Sequence, residues 1–440
     1  MEIKHATFKG GIHPSYNKQY TDKLPIETMP APKEIVLPMS MHIGAPCSPV
    51  VEVGQEVKMG QLVGQAGGFV SANIHSSVSG KVKAIEKRLT GNGQKMMSVV
   101  IENDFKDTPD EAMKTRKWED LSVQELLDIV AGAGIVGMGG ATFPTRVKLA
   151  PPADKKIEYL IINGAECEPY LTSDHAVMKE MPEKVIGGLK IMMKILGQSK
   201  GYIGIEDNKA DAIEAIKNAA DDSIEIYSLH TKYPQGSEKQ LVTAVTGKEV
   251  PSGALPSEVG CVISNSGTAI AIYEAVTQGL PLIERVTTVT GSGIKEPKVL
   301  KIRIGTMVNE IIDYCGGLTD DIAKVILGGP MMGFAIFDIA VPSNKGTSGI
   351  LCLTAKDAFV EEPSNCIRCG KCIQACPMHL MPQYIGGFSV KGDFERCEEY
   401  NAMDCIECGS CAFVCPARRP LVSSIRVAKR QILEKRRNNG

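Results

Sequence analysis

Short apolar runs separated by glycine dominate the first quarter of the chain. Residues 50–57, 60–64 and 74–82 form such runs, with apolar residues in alternation and glycine at the turns. Alternation with a period of two predicts half-buried strands, and glycine between the runs predicts tight turns. We therefore expect a small β-sandwich over residues 31–110, preceded by an extension at residues 1–30.

The middle of the chain alternates between helical and extended patterns. Apolar residues recur with helical periodicity at 121–133, 207–219 and 268–278, whereas 159–162 and 201–205 are short apolar runs that end in polar loops. Such runs are typical of buried parallel strands. Residues 111–285 are therefore predicted to form an α/β layered domain.

The last third of the chain predicts two smaller modules. Strand-like runs at 288–291, 299–304 and 324–327, with one helix near 307–315, indicate a compact β-grasp module over residues 286–350. Residues 351–440 contain a cysteine-rich region and a basic tail. The 28 residues between Cys376 and Cys405 exceed what a compact two-cluster ferredoxin uses, so we expect a helical version of that fold.

Composition excludes several classes of function. The 440 residues carry a formal net charge of −2, so no basic field indicates nucleic acid as a partner. The apolar stretches are shorter than the roughly 20 residues that cross a bilayer. The N-terminus lacks the apolar segment of a secretory signal. We therefore expect no transmembrane span of its own, and any connection with a membrane through a partner.

Eight of the fourteen cysteines form two copies of one motif, C-x2-C-x2-C-x3-C-P. This spacing binds cubane clusters, with the fourth cysteine of each motif ligating the other cluster. Zinc, the other metal that soft thiolates select, has no need of a third and fourth cysteine followed by proline. We predict two 4Fe–4S clusters in a reducing compartment. The predicted ligands are Cys366, Cys369, Cys372 and Cys415 for one cluster, and Cys405, Cys408, Cys411 and Cys376 for the other.

A glycine-rich segment follows the first helical pattern. Residues 132–137 match G-x-G-x-x-G, but the standard dinucleotide turn must follow a strand. Here the preceding residues have helical periodicity. The loop from Gly137 to Lys148 is better interpreted as one unit. Its glycines allow backbone N–H groups to approach a phosphate or a flat ring, and Lys148 supplies a cation.

This loop resembles the flavin-binding glycine loop of the NADH-oxidising subunit of respiratory complex I. Residues 159–174 are similar to that family's second loop, and residues 236–268 to its later nucleotide-pocket segment. The chain departs from that family at Ala165, where the family has an acid, and at Cys167, where it has a small residue. The resemblance implies a Rossmann-like domain that binds FMN and NAD(H). The cofactor-binding residues that it implies are Gly137, Gly139, Gly140, Phe143, Lys148, Asn163, Asp174, Asn265 and Thr268.

The same resemblance implies catalytic roles for Glu166 and Glu168. Their carboxylates would position the nicotinamide or modulate flavin protonation. A nicotinamide exchanges two electrons as a hydride, an iron–sulfur cluster exchanges one, and a flavin can do both. FMN is therefore expected between NAD(H) and the clusters.

The order of the modules resembles one family as a whole. The N-terminal module is similar to lipoyl/biotinyl barrel-sandwich domains but offers no lysine at its hairpin tip, and it precedes the flavin domain, an SLBB-like β-grasp and paired clusters. Residues 8–14, 41–46 and 328–333 also look like the RnfC family of the Rnf electron transport complex, the ion-pumping ferredoxin:NAD oxidoreductase of bacteria. That resemblance implies an NAD(H)-reactive peripheral subunit on the cytoplasmic face of the cell membrane. Its partners would be the other membrane and soluble subunits and, indirectly, ferredoxin.

Two other functions remain open from the sequence. One is a soluble flavin/iron–sulfur reductase that resembles RnfC, of the cobalamin reductase or hydrogenase diaphorase type. The other is an electron-wire subunit that has lost its nucleotide. Bound flavin and NADH oxidation by the isolated chain would distinguish the second from the first and from the leading interpretation.

Overall fold

The computed structural model describes residues 3–152 and 154–438. The N-terminal extension contributes two short strands, β1 (Lys4–Ala6) and β2 (Ile26–Thr28), which join the sheets of two later modules. Neither strand was predicted. Their partners lie more than 200 residues away along the chain, so no local pattern marks them.

The predicted barrel-sandwich is confirmed as two small sheets packed on one core. One sheet has the strand order β3-β9-β8-β5 and the other β4-β6-β7. The strand predicted over residues 50–57 is wrong, because Gly54 adopts a φ of +92° within a turn and only the last two residues, Glu56–Val57, form a strand. The strands are β3 (Glu34–Pro38), β4 (Ser48–Pro49), β5 (Glu56–Val57), β6 (Leu62–Gln65), β7 (Ile74–His75), β8 (Gly80–Leu89) and β9 (Lys95–Asn103).

The α/β domain has a parallel sheet between helices. The elements are α1 (Val123–Gly132), α2 (Thr145–Leu149), β10 (Tyr159–Gly164), α3 (Ser173–Glu180), α4 (Pro182–Leu196), β11 (Gly201–Glu206), α5 (Ala210–Ala219), β12 (Ile224–Leu229), α6 (Glu238–Thr246), β13 (Cys261–Asn265) and α7 (Ser266–Gln278). The strand order is β1-β12-β11-β10-β13. The sheet interior is apolar on both faces, as burial between helices requires. Adjacent β10 and β13 bring their carboxyl ends to one edge, where ligands bind in open α/β sheets.

The β-grasp module contains a six-stranded sheet of order β17-β16-β18-β14-β15-β2. Its elements are β14 (Glu284–Thr290), β15 (Lys298–Arg303), α8 (Val308–Tyr314), β16 (Ile322–Leu327), β17 (Phe334–Ile336), β18 (Gly349–Thr354) and the short α9 (Ala355–Ala358). Helix α8 packs its buried residues onto the sheet core. Strand β18 extends past residue 350, so the module boundary expected there lies inside a strand.

The C-terminal module is helical, as predicted. It comprises α10 (Lys371–Ala375), α11 (Pro382–Val390), α12 (Phe394–Glu399), α13 (Ser410–Phe413) and α14 (Leu421–Asn438). Helices α11, α12 and α14 enclose a small core around Ile385, Ile425 and Ile432. Within residues 3–152 and 154–438, no helix is both long and apolar enough to cross a membrane.

Candidate functional site

The glycine-rich loop between α1 and α2 folds back on itself. The N–H of Gly137 donates to the carbonyl of Phe143 at 2.8 Å, and the N–H of Met138 donates to the hydroxyl of Thr268 at 2.9 Å. Gly139 and Gly140 are exposed at the tip of the loop. A Cβ on Gly139 would stand 3.1 Å from the side chain of Asn265. The loop tip is therefore accessible from solvent and lies against the N-terminus of α7.

Two asparagines mark the carboxyl ends of neighbouring strands. Asn163 in β10 is the register partner of Asn265 in β13. The Asn163 amide donates to the carbonyl of Gly236 at 2.7 Å. Asn265 caps α7, because its Oδ1 accepts the N–H of Gly267 at 2.9 Å, and its Nδ2 donates to Asp174 at 2.7 Å. Four predicted site residues, Asn163, Asn265, Thr268 and Gly139, thus lie at one edge of the sheet. This edge and the glycine loop beside it are called the glycine-loop pocket below.

Asp174 lies in the first turn of α3, facing the same asparagine. Its second oxygen accepts the hydroxyl of Ser266 at 3.0 Å. Burial, with a contribution from the neighbouring carboxylate of Glu166, raises the pKa of Asp174 to about 6. The hydrogen bonds from Asn265 and Ser266 thus favour the ionised form of Asp174, whereas burial disfavours it.

The carboxylate of Glu166 caps helix α3. It accepts the backbone N–H of Asp174 at 2.7 Å and that of His175 at 3.0 Å. The residue itself has a φ of +46°, uncommon for a side chain with a Cβ. Glu166 therefore fixes the start of α3, and its predicted role toward a nicotinamide stays a prediction.

The carboxylate of Glu168 reaches the β-grasp module. It accepts the N–H of Met332 at 2.8 Å and that of Met331 at 3.1 Å. Burial raises the pKa of Glu168 to about 7, although both hydrogen bonds favour the charged form. Its predicted catalytic role also remains a prediction, and its observed contacts join two modules beside the pocket.

Two further predicted residues lie in the second half of the loop. Phe143 is half-buried. The ammonium of Lys148 forms an ion pair with Glu238 at the start of α6 and donates to the carbonyl of Ile263 at 3.3 Å. Lys148 thus joins the middle of β13 to the start of α6.

The sequence did not reveal the cations that hold these loops. The ammonium of Lys18, from the N-terminal extension, is buried and donates to the carbonyls of Glu166, Glu168 and Leu171. Lys209 donates to the carbonyl of Ala165 at 2.7 Å. Of these two lysines, only Lys209 could have been identified from the sequence, because it follows Glu206, at the end of a predicted strand, by three residues.

Arg285 is a further residue that sequence reasoning missed. It is 5% exposed, and its guanidinium donates to the carbonyls of Lys345 and Met138. Burial lowers its pKa to about 10, against the attraction of Asp174. A charged pair inside the apolar stretch at residues 282–289 was the signal that could have revealed it.

The structure brings four of the eight predicted cluster ligands to one cavity. Cys376 from the first motif lines one apolar cavity together with Cys405, Cys408 and Cys411 from the second. This grouping corresponds to the cross-ligation expected for one cluster, with three ligands from one motif and the fourth from the other. Of the remaining four, Cys366 and Cys369 are exposed in the segment before α10, Cys372 is buried at 9% exposure, and Cys415 is half-buried.

The first cysteine group adjoins the α/β domain. The hydroxyl of Tyr233, which is 1% exposed, donates to the carbonyl of Cys408 at 2.6 Å. Tyr233 shares a small apolar cluster with Cys167 and Cys408, and Met331 packs against it. The sulfur of Cys167 accepts the N–H of Gly236 at 3.2 Å. The glycine-loop pocket and the cysteine cavity therefore meet across one buried junction.

Two buried side chains near the pocket fit a bound polar ligand. Among the residues that the structure describes, Thr145 Oγ1 at the start of α2 has no hydrogen-bond partner. The side-chain amide nitrogen and oxygen of Gln235 also have none. Gln235 is fully buried, immediately before the Gly236 that contacts Asn163. Because buried polar groups are normally paired, these atoms are suited to a cofactor with a phosphate and a polar ring.

Four family models match consecutive parts of the chain. They are described as the RnfC barrel sandwich hybrid domain at residues 6–106, the Nuo51 FMN-binding domain at 130–274, the SLBB domain at 286–335 and the 4Fe-4S dicluster domain at 358–416. Together they confirm the predicted order of folds. They also confirm FMN and 4Fe–4S clusters as the cofactors of the matched domain families.

Full-length relatives are similar over nearly the whole chain. The RnfC protein of the Na+-translocating ferredoxin:NAD+ oxidoreductase complex of Acetobacterium woodii is 56% identical, with 99% of each chain covered. Its counterpart in the proton-translocating ferredoxin:NAD+ oxidoreductase complex of Clostridium ljungdahlii is 53% identical, covering 96% of this chain and 93% of the relative. The counterpart in the ion-translocating oxidoreductase complex of Rhodobacter capsulatus is 44% identical, covering 98% and 84%.

Proposed function

Because the chain belongs to the RnfC family, whose members are subunits of ion-translocating ferredoxin:NAD+ oxidoreductase complexes, we propose that it is the NAD(H)-reactive subunit of such a complex. It passes electrons between NAD(H) and the other subunits. The observation that carries the proposal is the junction at Tyr233, where the glycine-loop pocket meets the cysteine cavity around Cys408.

FMN, when bound, exchanges a hydride with NAD(H) and single electrons with iron–sulfur clusters. The residues suited to hold it are the glycine loop, Asn163 and Asn265 at the strand ends, and Thr145 and Gln235 with their unpartnered polar atoms. Lys148 offers a cation at the rim, already paired with Glu238. This chain's part is to orient the ring system at the sheet edge with backbone amides and amide side chains.

The two acidic residues beside the pocket have different roles, one in positioning a helix and one in handling a proton. Glu166 holds the start of α3, and that helix presents Asp174 to Asn265. Glu168, with a pKa raised to about 7 by burial, can hold or release a proton near neutral pH beside the junction. We assign Glu168 the handling of a proton and Glu166 the positioning of Asp174.

Two 4Fe–4S clusters are bound by the eight motif cysteines. Cys376, Cys405, Cys408 and Cys411 hold the inner one, next to the flavin domain. Cys366, Cys369, Cys372 and Cys415 hold the outer one, and the exposure of Cys366 and Cys369 leaves it open to partner subunits. The chain lies on the cytoplasmic face of the membrane, attached through those subunits.

The proposal is tested on the full chain purified without oxygen. We expect about eight irons and eight sulfides per chain, as two cubane clusters require, together with one FMN and reduction of ferricyanide by NADH. About four irons, or no flavin, would refute the assignment. Corrinoid reduction that needs no membrane subunits would favour the soluble reductase. Clusters without flavin or NADH oxidation would favour the electron-wire subunit.

A further inference from the structure

The barrel-sandwich module has no carrier lysine, yet it contacts the glycine loop directly. The N–H of Ile43 donates to the carbonyl of Thr142 at 3.4 Å. The side chain of Asn73 donates to the carbonyl of Gly132, at the end of α1, at 3.3 Å. Ile43 and Asn73 both belong to connections between strands of the barrel-sandwich. That module therefore touches the loop at its entry and at its exit.

The β-grasp module also contacts this loop. Arg285 donates to the carbonyl of Met138 at 3.4 Å, and a Cβ on Gly346 would stand 2.6 Å from the side chain of Thr142. Residues of the other two modules thus contact the loop at Met138 and Thr142, while its tip at Gly139 and Gly140 stays exposed. Its conformation depends on how closely these modules approach each other.

Lys345 connects all three modules at one point. It is 1% exposed, and its Nζ donates to the carbonyl of Gly134 at 2.6 Å and to that of Asn73. Its own carbonyl accepts from Arg285. Gly134 has a φ of +64°, and a Cβ there would overlap the carbonyl oxygen of Asn73. The approach is therefore tight, and two carbonyls depend on one nitrogen.

We infer that Lys345 is a positioning residue for the flavin: it fixes the glycine loop between the barrel-sandwich and β-grasp modules, so that both modules are part of the flavin site. The inference rests on the proposed function, since it takes FMN as the ligand of the loop. Burial lowers the pKa of Lys345 to about 7. A neutral amine still has two N–H groups for the two carbonyls, so the contact survives deprotonation.

The test compares full-length variants loaded with clusters and stripped of flavin. Lys345→Met keeps the length of the side chain and removes its donors, leaving two buried carbonyls without a partner. We expect the Kd for added FMN to rise at least about tenfold, as the loss of one net hydrogen bond in the loop would cause. We also expect faster hydrogen exchange at residues 134–142 and altered visible circular dichroism of bound FMN. Iron and sulfide content should not change.

Lys356→Met, an exposed lysine on α9 of the same module, is the matched control and should bind FMN as the wild type does. If Lys345→Met does not fold, Asn73→Asp decides, because it replaces the amide that donates to Gly132 and keeps the oxygen that accepts from Gln65 and Ala66. It should weaken FMN binding in the same direction. Wild-type affinity in the folded variants overturns the inference alone. A wild-type chain that binds no FMN overturns the proposed function as well.

Discussion

Replacing Glu168 by glutamine should remove a dependence of stability on pH. Glu168 lies in the loop between β10 and α3, and its carboxyl group is buried against the backbone of Met331 and Met332. Its pKa rises from 4.5 to about 7, chiefly because burial disfavours the charged form. Between these two pH values, the folded protein keeps a proton that the unfolded chain has released.

The sign and the size of the effect follow from this difference in bound protons. Where the folded state binds more protons, the free energy of unfolding falls as pH rises. At about 1.4 kcal/mol for each pKa unit, Glu168 lowers the free energy of unfolding by about 3 kcal/mol between pH 4.5 and pH 7. Below pH 4.5 the carboxyl is protonated in both states, and above pH 7 the loss is complete.

The glutamine variant is neutral at every pH, so it should lack this loss. We would follow thermal unfolding of wild type and Glu168→Gln by calorimetry from pH 4.5 to pH 8. The melting temperature of the variant should rise relative to wild type across that range. Asp174, with a pKa of about 6, titrates in the same window, but it is present in both proteins and cancels in the difference.

Glu214→Gln, at an exposed position on α5, serves as the control and should run parallel to wild type. The result that would refute the reasoning is a constant difference between Glu168→Gln and wild type from pH 4.5 to pH 8. That outcome would mean that water reaches the carboxyl and that burial does not set its pKa.

Three further substitutions test the site. Asn265→Ala should lower the free energy of unfolding by about 2 kcal/mol, because α7 loses its cap and a buried carboxylate loses a donor; an unchanged calorimetric melting temperature would contradict this. Tyr233→Phe removes the hydrogen bond to the Cys408 carbonyl and should shift the electron paramagnetic resonance spectrum of one reduced cluster only; a shift in both or in neither would be inconsistent with the junction. Cys369→Ser should lose about half of the iron and keep NADH-dependent flavin reduction, whereas Cys397→Ser, a buried cysteine outside the motifs, should keep all of the iron.

The fold could be predicted from the sequence wherever the signal is local. The helical period at residues 121–133 corresponds to α1, because the helix buries one stripe of its surface. The apolar run at 159–162 corresponds to β10, because this strand is buried on both faces. The extension could not be predicted. Lys4 pairs with Tyr227, and Ile26 pairs with Val299. Three-residue strands with distant partners carry no period of their own.

The candidate site divides in the same way. The glycine loop was predicted because a run of glycines is visible in the sequence, whereas Asn163 and Asn265 were implied by the resemblance to the complex I subunit. Glu168 was also predicted, but its contact with Met331 and Met332 depends on the packing of a module that begins more than 100 residues later. Sequence motifs therefore identified the side chains, and tertiary packing determined what they touch.

The three lysines around the site differ in whether their hydrogen bonds require the charged form of the side chain. The Lys18 nitrogen serves three carbonyl oxygens, and only an ammonium group has three N–H donors. The Lys345 nitrogen serves two, which a neutral amine can satisfy. Lys209 serves one carbonyl and one amide oxygen together with the buried carboxylate of Glu206, so its charge is matched by a counterion. The loop between β10 and α3 therefore requires a protonated Lys18 for all three of these hydrogen bonds, whereas the glycine loop requires only the two donors of Lys345.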